Sequence, residues 1–126
     1  MIFVGLGFRK AVTIKSFENL IHQVYHLTEL PGPINALATL DTKALDPALQ
    51  EFATAKRITL IPVSLENLKR QITPTQLPAA QAAYGLGSIA EAAALFAAGN
   101  GSSLIFKRLV SDDKLATFAF AKGSFK

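Results

Sequence analysis

The chain contains no cysteine, so a disulfide framework, a thiolate metal site and a thiol nucleophile are excluded, and with them any redox chemistry carried by protein sulfur. Charge is also sparse. Only 17% of the 126 residues are Asp, Glu, Lys or Arg, while half are hydrophobic, the balance of a packed globule rather than a disordered segment. Long apolar runs are missing: the stretch Ala92 to Ala98 is too short to span a bilayer, and Met1-Ile2-Phe3-Val4 lacks the charged start of a signal peptide. A cytoplasmic protein without membrane contact is therefore expected.

Several chemical signatures are absent as well. A dinucleotide fingerprint needs a third glycine or alanine where Lys10 stands, after Gly5 and Gly7. No G-x-x-x-x-G-K-[ST] occurs, so phosphoryl transfer has no support, and Ser88 lacks the G-x-S-x-G setting of a nucleophile elbow. His22 and His26 have the spacing of a metal pair on a predicted helix, yet they fall opposite its apolar stripe and no third ligand is near. They read as solvated residues, and neither a metal nor another cofactor is expected. Thirteen Lys and Arg against nine Asp and Glu leave a net charge of +4, compatible with an anionic partner. The basic residues come as scattered pairs, Arg9-Lys10, Lys56-Arg57, Lys69-Arg70 and Lys107-Arg108, without interleaved aromatics, so nucleic acid is not the expected partner.

What is present is an alternation of strand and helix signals over a length that suits one domain, residues 1–126, able to bury about two thirds of its unfolded surface. Ile2 to Leu6 reads as a buried strand closed by a Gly5-Leu6-Gly7 loop. A helix follows, with Thr13 as N-cap and Phe17, Leu20, Ile21 and Val24 at helical spacing, until Pro31-Gly32-Pro33. Ile34 to Leu40 is a second strand, ending at Asp41-Thr42-Lys43. Asp46 then caps a helix that has Pro47 at its first position and Leu49, Phe52 and Ala53 on its inner face. Ile58 to Val63 is a third strand in which Pro62 marks an end or an edge, and Ser64 and Asn67 flank a short helix. Gln71 to Ala83, with Thr73-Pro74 and Leu77-Pro78, reads mainly as a surface loop. Ser88 and Glu91 form a capping box at the head of an alanine-rich helix. Its thin side, Ala90, Ala93, Ala94 and Ala97, lets it lie close to a sheet until Gly99-Asn100-Gly101. Leu104 to Val110 and Leu115 to Ala121 flank Ser111-Asp112-Asp113-Lys114 as a closing hairpin. The expected class is α/β, a three-layer α/β/α arrangement around a mixed sheet of about five strands.

Helix N-termini after the two Gly-Leu-Gly segments, at Gly5 and Gly7 and at Gly85 and Gly87, offer N–H groups that bind carboxylates or phosphates. Arg9 and Lys10 follow the first strand and Asp41 and Lys43 the second, and the carboxyl ends of parallel strands line the ligand crevice of open α/β sheets. Those four side chains are expected to converge. Lys107 sits within a strand, where a long side chain normally reaches for solvent.

The order Val4-Gly5-Leu6-Gly7-Phe8-Arg9-Lys10, then Ala38-Thr39-Leu40-Asp41-Thr42-Lys43, then Gly85-Leu86-Gly87-Ser88-Ile89-Ala90-Glu91-Ala92-Ala93-Ala94-Leu95, with Lys107 before a final strand, resembles the CobE/CbiG C-terminal domain family of cobalamin biosynthesis. Members commonly carry Cys where Phe8 stands and Gly where Ala11 stands. The resemblance implies an α/β/α domain and a partner among the tetrapyrrole or corrin intermediates, or other enzymes of that pathway. Such intermediates carry a rim of carboxylates around a flat apolar ring, which suits basic loops and helix N-termini beside an apolar floor. It thus implies a ligand set of Gly5, Gly7, Arg9, Lys10, Lys43, Gly85, Gly87, Ser88 and Lys107, in a carrier or accessory protein. A hydrolytic alternative opens the ring A lactone of a precorrin with Asp41 or Glu91 as general base and Lys43 or a helix N-terminus stabilising the oxyanion. A third reading is a partner of another pathway enzyme that binds no ligand.

Overall fold

The computed structural model describes residues 2–27, 33–73, 76–85 and 88–123. Its centre is a five-stranded sheet of order β3-β2-β1-β5-β4, formed by β1 (Ile2–Phe8), β2 (Ile34–Leu40), β3 (Thr59–Val63), β4 (Ser103–Val110) and β5 (Ala116–Lys122). Strands β1, β2 and β3 run parallel. Strand β5 is antiparallel to both β1 and β4, which makes the sheet mixed. The helices are α1 (Ile14–Leu27), α2 (Pro47–Lys56), α3 (Leu65–Lys69), α4 (Pro78–Tyr84) and α5 (Ile89–Ala98).

The two faces of the sheet are unequal in bulk, and the alternation of side chains along the strands explains why. On one face Ile2, Val4, Leu6 and Phe8 of β1 join Phe118 and Phe120 of β5, Phe17, Leu20 and Val24 of α1, and Leu49 and Phe52 of α2. Phe17 is the hinge of this layer, its ring 5.4 Å from those of both Phe8 and Phe52. Each fully buried phenylalanine contributes about 2 kcal/mol of transfer free energy. The other face is built around small residues, Ala38 on β2 and Ala119 and Ala121 on β5 against Ala90, Ala92, Ala93, Ala94 and Ala98 of α5, joined by Leu40, Val63, Leu68 and Ile89.

Local capping follows the sequence closely. The Asp46 carboxylate accepts from the amides of Ala48 and Leu49, with Pro47 opening α2. Ser88 Oγ accepts from the Glu91 amide at the head of α5, and Ser64 Oγ does the same for Asn67 in α3. Asn67 therefore lies inside that helix rather than at its end. Pro62 sits in β3, an edge strand, where its missing N–H removes no ladder bond from the sheet interior.

Two expectations require correction. Gly5-Leu6-Gly7 is not a loop: β1 continues through it to Phe8, and Gly5 pairs with Ala38 on one side and Ala119 on the other. A Cβ at Gly5 would overlap the Ala90 carbonyl oxygen and lie 2.5 Å from the Ala94 nitrogen, so the glycine permits the close approach of α5. The stretch from Gln71 to Ala83 is also not loop throughout: its second half is helical. Pro78 opens α4 in the first-turn position where its missing N–H is harmless, and Gly85 (φ +71°) ends that helix.

Candidate functional site

The carboxyl ends of β1 and β2 share an edge of the sheet with the β4–β5 turn, because β4 runs parallel to β1 and its return strand begins beside Phe8. The Arg9 amide donates to the Leu115 carbonyl across that edge at 2.9 Å. Above it stands the first turn of α5. Together with α4 these segments enclose a cleft of about 730 Å³, in the place where open α/β sheets bind ligands.

Its walls divide sharply by chemistry. Arg9, Lys43, Arg108 and Lys114 supply four cations, and among the described residues that line the cleft there is no Asp or Glu. The remaining lining is largely apolar: Leu77, Pro78, Ala80, Ala83 and Tyr84 from the α4 side, Ile89 and Ala90 from α5, and Val110 and Leu115 from the hairpin. Gly7 and Ser88 also line it, and at Ser88 the N-terminal end of α5 adds the positive end of its dipole.

Lys43 is the most constrained of the four. Its ammonium donates to the Phe8 carbonyl and sits 4.9 Å from the centroid of the Phe8 ring, an arrangement with cation–π character. Burial lowers its pKa, against the opposing influence of the Asp46 carboxylate. Lys43 thereby ties the segment after β2 to the end of β1. Lys114 holds a left-handed backbone conformation (φ 61°) in the β4–β5 turn, and that turn is fastened to α1. Asp113 accepts from Ser16 Oγ at 2.6 Å and from Ser111 Oγ at 2.5 Å, while Asn19 both donates to and accepts from Asp112.

The residues singled out from sequence divide accordingly. Gly7, Arg9, Lys43 and Ser88 meet in the cleft. Gly5 is covered by α5, Lys10 is exposed and does not line the cleft, and Gly85 terminates α4 rather than starting a helix. Gly87 and the side chain of Lys107 lie outside the described residues. Neither proposed carboxylate base lines the cleft. Glu91 is fully buried, and Asp41 lines a separate hollow with Gln50 and Arg57 between α2 and β3. His22 is exposed on α1 and the side chain of His26 is outside the described residues; among those described, no three potential metal ligands cluster. No helix among them is long and apolar enough to cross a membrane. Arg108 and Lys114 were missed, whereas the Gln71 to Ala83 segment, a candidate cover for a ligand in the sequence, does line the cleft through Leu77, Pro78, Ala80 and Ala83. Arg108 was visible only as half of a basic pair, and Lys114 as a turn residue.

The fold has counterparts among known proteins. The family profile described as "Cobalamin synthesis G C-terminus" matches residues 2–121. The crystal structure of CobE, a protein from the cobalamin (vitamin B12) biosynthetic pathway, is similar with a TM-score of 0.80 and 25% identity, over 96% of this chain and 89% of that one. The cobalamin biosynthesis protein chiG from Agrobacterium tumefaciens is similar with a TM-score of 0.71 and 27% identity, over 99% of this chain and 100% of that one. A putative cobalamin biosynthesis protein G homolog from Sulfolobus solfataricus shares the fold, with a TM-score of 0.70 and 23% identity, over 95% of this chain but 36% of its own length. No curated protein matches.

Proposed function

The chain belongs to the cobalamin synthesis G C-terminal family, and from that premise we propose that its cleft binds a carboxylate-rich precorrin or corrin intermediate, as a carrier or accessory factor of cobalamin biosynthesis. The observation that carries this reading is the composition of the cleft: four cations, no lining carboxylate among the described residues, and an apolar wall. A corrin precursor is complementary on each count. Its acetate and propionate groups accept charge-assisted hydrogen bonds from Arg and Lys, its flat ring covers apolar surface, and the head of α5 favours anions. Arg9 follows β1 and Lys43 bonds to the last carbonyl of that strand, and Tyr84 and Leu77 line the same cleft.

The test is a titration with hydrogenobyrinic-type and precorrin macrocycles, followed through their visible absorbance. Saturable binding is expected. Arg9→Ala should weaken it about tenfold, the size of one lost charge-assisted contact. Lys10→Ala should leave it within about twofold, because Lys10 adjoins Arg9 in sequence but does not line the cleft. An absence of saturable binding, or equal losses in the two variants, overturns the proposal.

A further inference from the structure

Resting on that reading of the cleft, we infer that α4 is a lid, which opens and re-forms in the free protein and is held closed by an occupant. The helix lacks the support that the others have. Among its described side chains none is buried, whereas α1 buries Phe17, Leu20 and Val24, α2 buries Leu49, Phe52 and Ala53, and even the five-residue α3 buries Leu68. Its seven residues fall short of the roughly 12 to 15 that an isolated helix needs to be even marginally stable in water. Leu77 at its N-cap supplies no side-chain hydrogen bond, in contrast to Asp46, Ser64 and Ser88 at the heads of α2, α3 and α5. A helix of this kind depends on packing. The apolar surface that it offers, Leu77, Pro78, Ala80, Ala83 and Tyr84, lines a cleft of about 730 Å³ rather than a core.

The lid is attached at its two ends. Just before it, Gln76 Nε2 donates to the carbonyl of the buried Thr73 at 2.9 Å, and Gln81 Nε2 donates to Gln76 Oε1 at 2.6 Å. At the other end Tyr84 is half-buried against the cluster that holds Leu68 and Ile89. Gly85 follows in a left-handed conformation (φ +71°), where an added Cβ would meet, among the described residues, the flexible Lys69 side chain at 3.5 Å. Gly5 is hemmed in by the backbone of α5, but Gly85 has room to turn. Segments with few buried contacts open at a small fraction of the global unfolding free energy, so α4 opens far more often than the sheet does. A flat ring in the cleft supplies the apolar partner that the core does not, and its contact with the inner side of α4 shifts the lid toward the closed state.

Hydrogen exchange read by mass spectrometry tests the lid on the full chain, free and saturated with hydrogenobyrinic acid. In the free protein the α4 amides from Gln81 to Gly85 should exchange about a hundredfold or more faster than those of α5, and saturation should slow them about tenfold or more. A second arm uses Ala82→Gly, at an exposed position of α4 that does not line the cleft. Glycine disfavours the helix, so the ligand must order a less stable lid and should bind about fivefold more weakly. The melting temperature should stay within about 1 °C of wild type, because α4 has already opened when the sheet melts. Amides of α4 as slow as those of α5 in the free protein, or no slower in the saturated complex, overturn the inference and leave the binding site standing. An Ala82→Gly protein that melts early and binds like wild type does the same, since that is the behaviour of a fixed wall. Absence of saturable binding overturns the site and the lid together.

Discussion

A methyl group at Gly5 has no room, and its neighbour in the pattern, Gly7, differs in this respect. The atoms that an added Cβ at Gly5 would meet belong to the backbone of α5, at Ala90 and Ala94, so no side chain can turn aside to relieve the overlap. At Gly7 the nearest atoms lie 3.7 Å or more away, an ordinary van der Waals contact. Gly5→Ala is expected to cost about 3 kcal/mol, the upper part of the usual range for overpacking, which lowers the melting temperature by roughly 10 °C for a domain of this size. Gly7→Ala should stay within about 1 kcal/mol of wild type. Thermal melts of the two variants decide the matter, and a Gly5→Ala protein that melts like wild type refutes the close-approach argument. Because α5 carries Ser88, Ile89 and Ala90 to the cleft, the displacement that accommodates the methyl group should weaken macrocycle binding as well.

At the level of elements, one carboxylate of the joint between α1 and the β4–β5 hairpin makes its strength depend on pH. Asp113 accepts from the Ser111 and Ser16 hydroxyls and from the Leu115 amide, and these bonds hold its pKa below the ordinary carboxylate value. A folded-state pKa below the unfolded one contributes stability that is complete above the unfolded value and lost as pH falls through the folded value. Asp113→Asn should therefore be less stable than wild type at neutral pH, with the difference shrinking as denaturant melts are repeated from about pH 7 down to about pH 2.5. A gap that stays constant over that range shows that ionisation of Asp113 has no part in the joint. The hairpin itself was legible in the sequence, as were the caps at Asp46 and Ser88, because each depends on residues within a few positions of one another. What was not legible depends on distant partners. Gly5 looks like a turn glycine until α5 is seen lying on it, and Pro78 breaks a loop or starts a helix according to what precedes it. Arg108 and Lys114 join Arg9 only because β5 returns beside β1 and α1 fastens the turn between them.

For the whole molecule, charge is the property that the fold redistributes. The thirteen basic residues exceed the nine acidic ones by four, and four basic residues line the cleft. Among the described residues that line that crevice there is no acidic side chain, so positive charge is concentrated along it, and its low-dielectric walls focus the field. A polyanionic ring should be drawn toward that opening, and salt should blunt the attraction, since the Debye length is already about 10 Å at 0.1 M. The location of the charge, rather than its total, is what matters here, and two variants with the same net charge separate these alternatives. Arg9→Gln removes a cleft cation, whereas Lys56→Gln removes an exposed one from the last turn of α2. Stopped-flow association rates for a polycarboxylated porphyrin should fall several-fold for Arg9→Gln, about the loss expected when a cleft charge that focuses the field is removed. The salt dependence should become shallower in the same variant, while Lys56→Gln follows wild type at every ionic strength. Equal slowing by the two substitutions shows that the protein attracts anions through its net charge alone, and that the gathering of cations at the cleft does not guide the ligand to it.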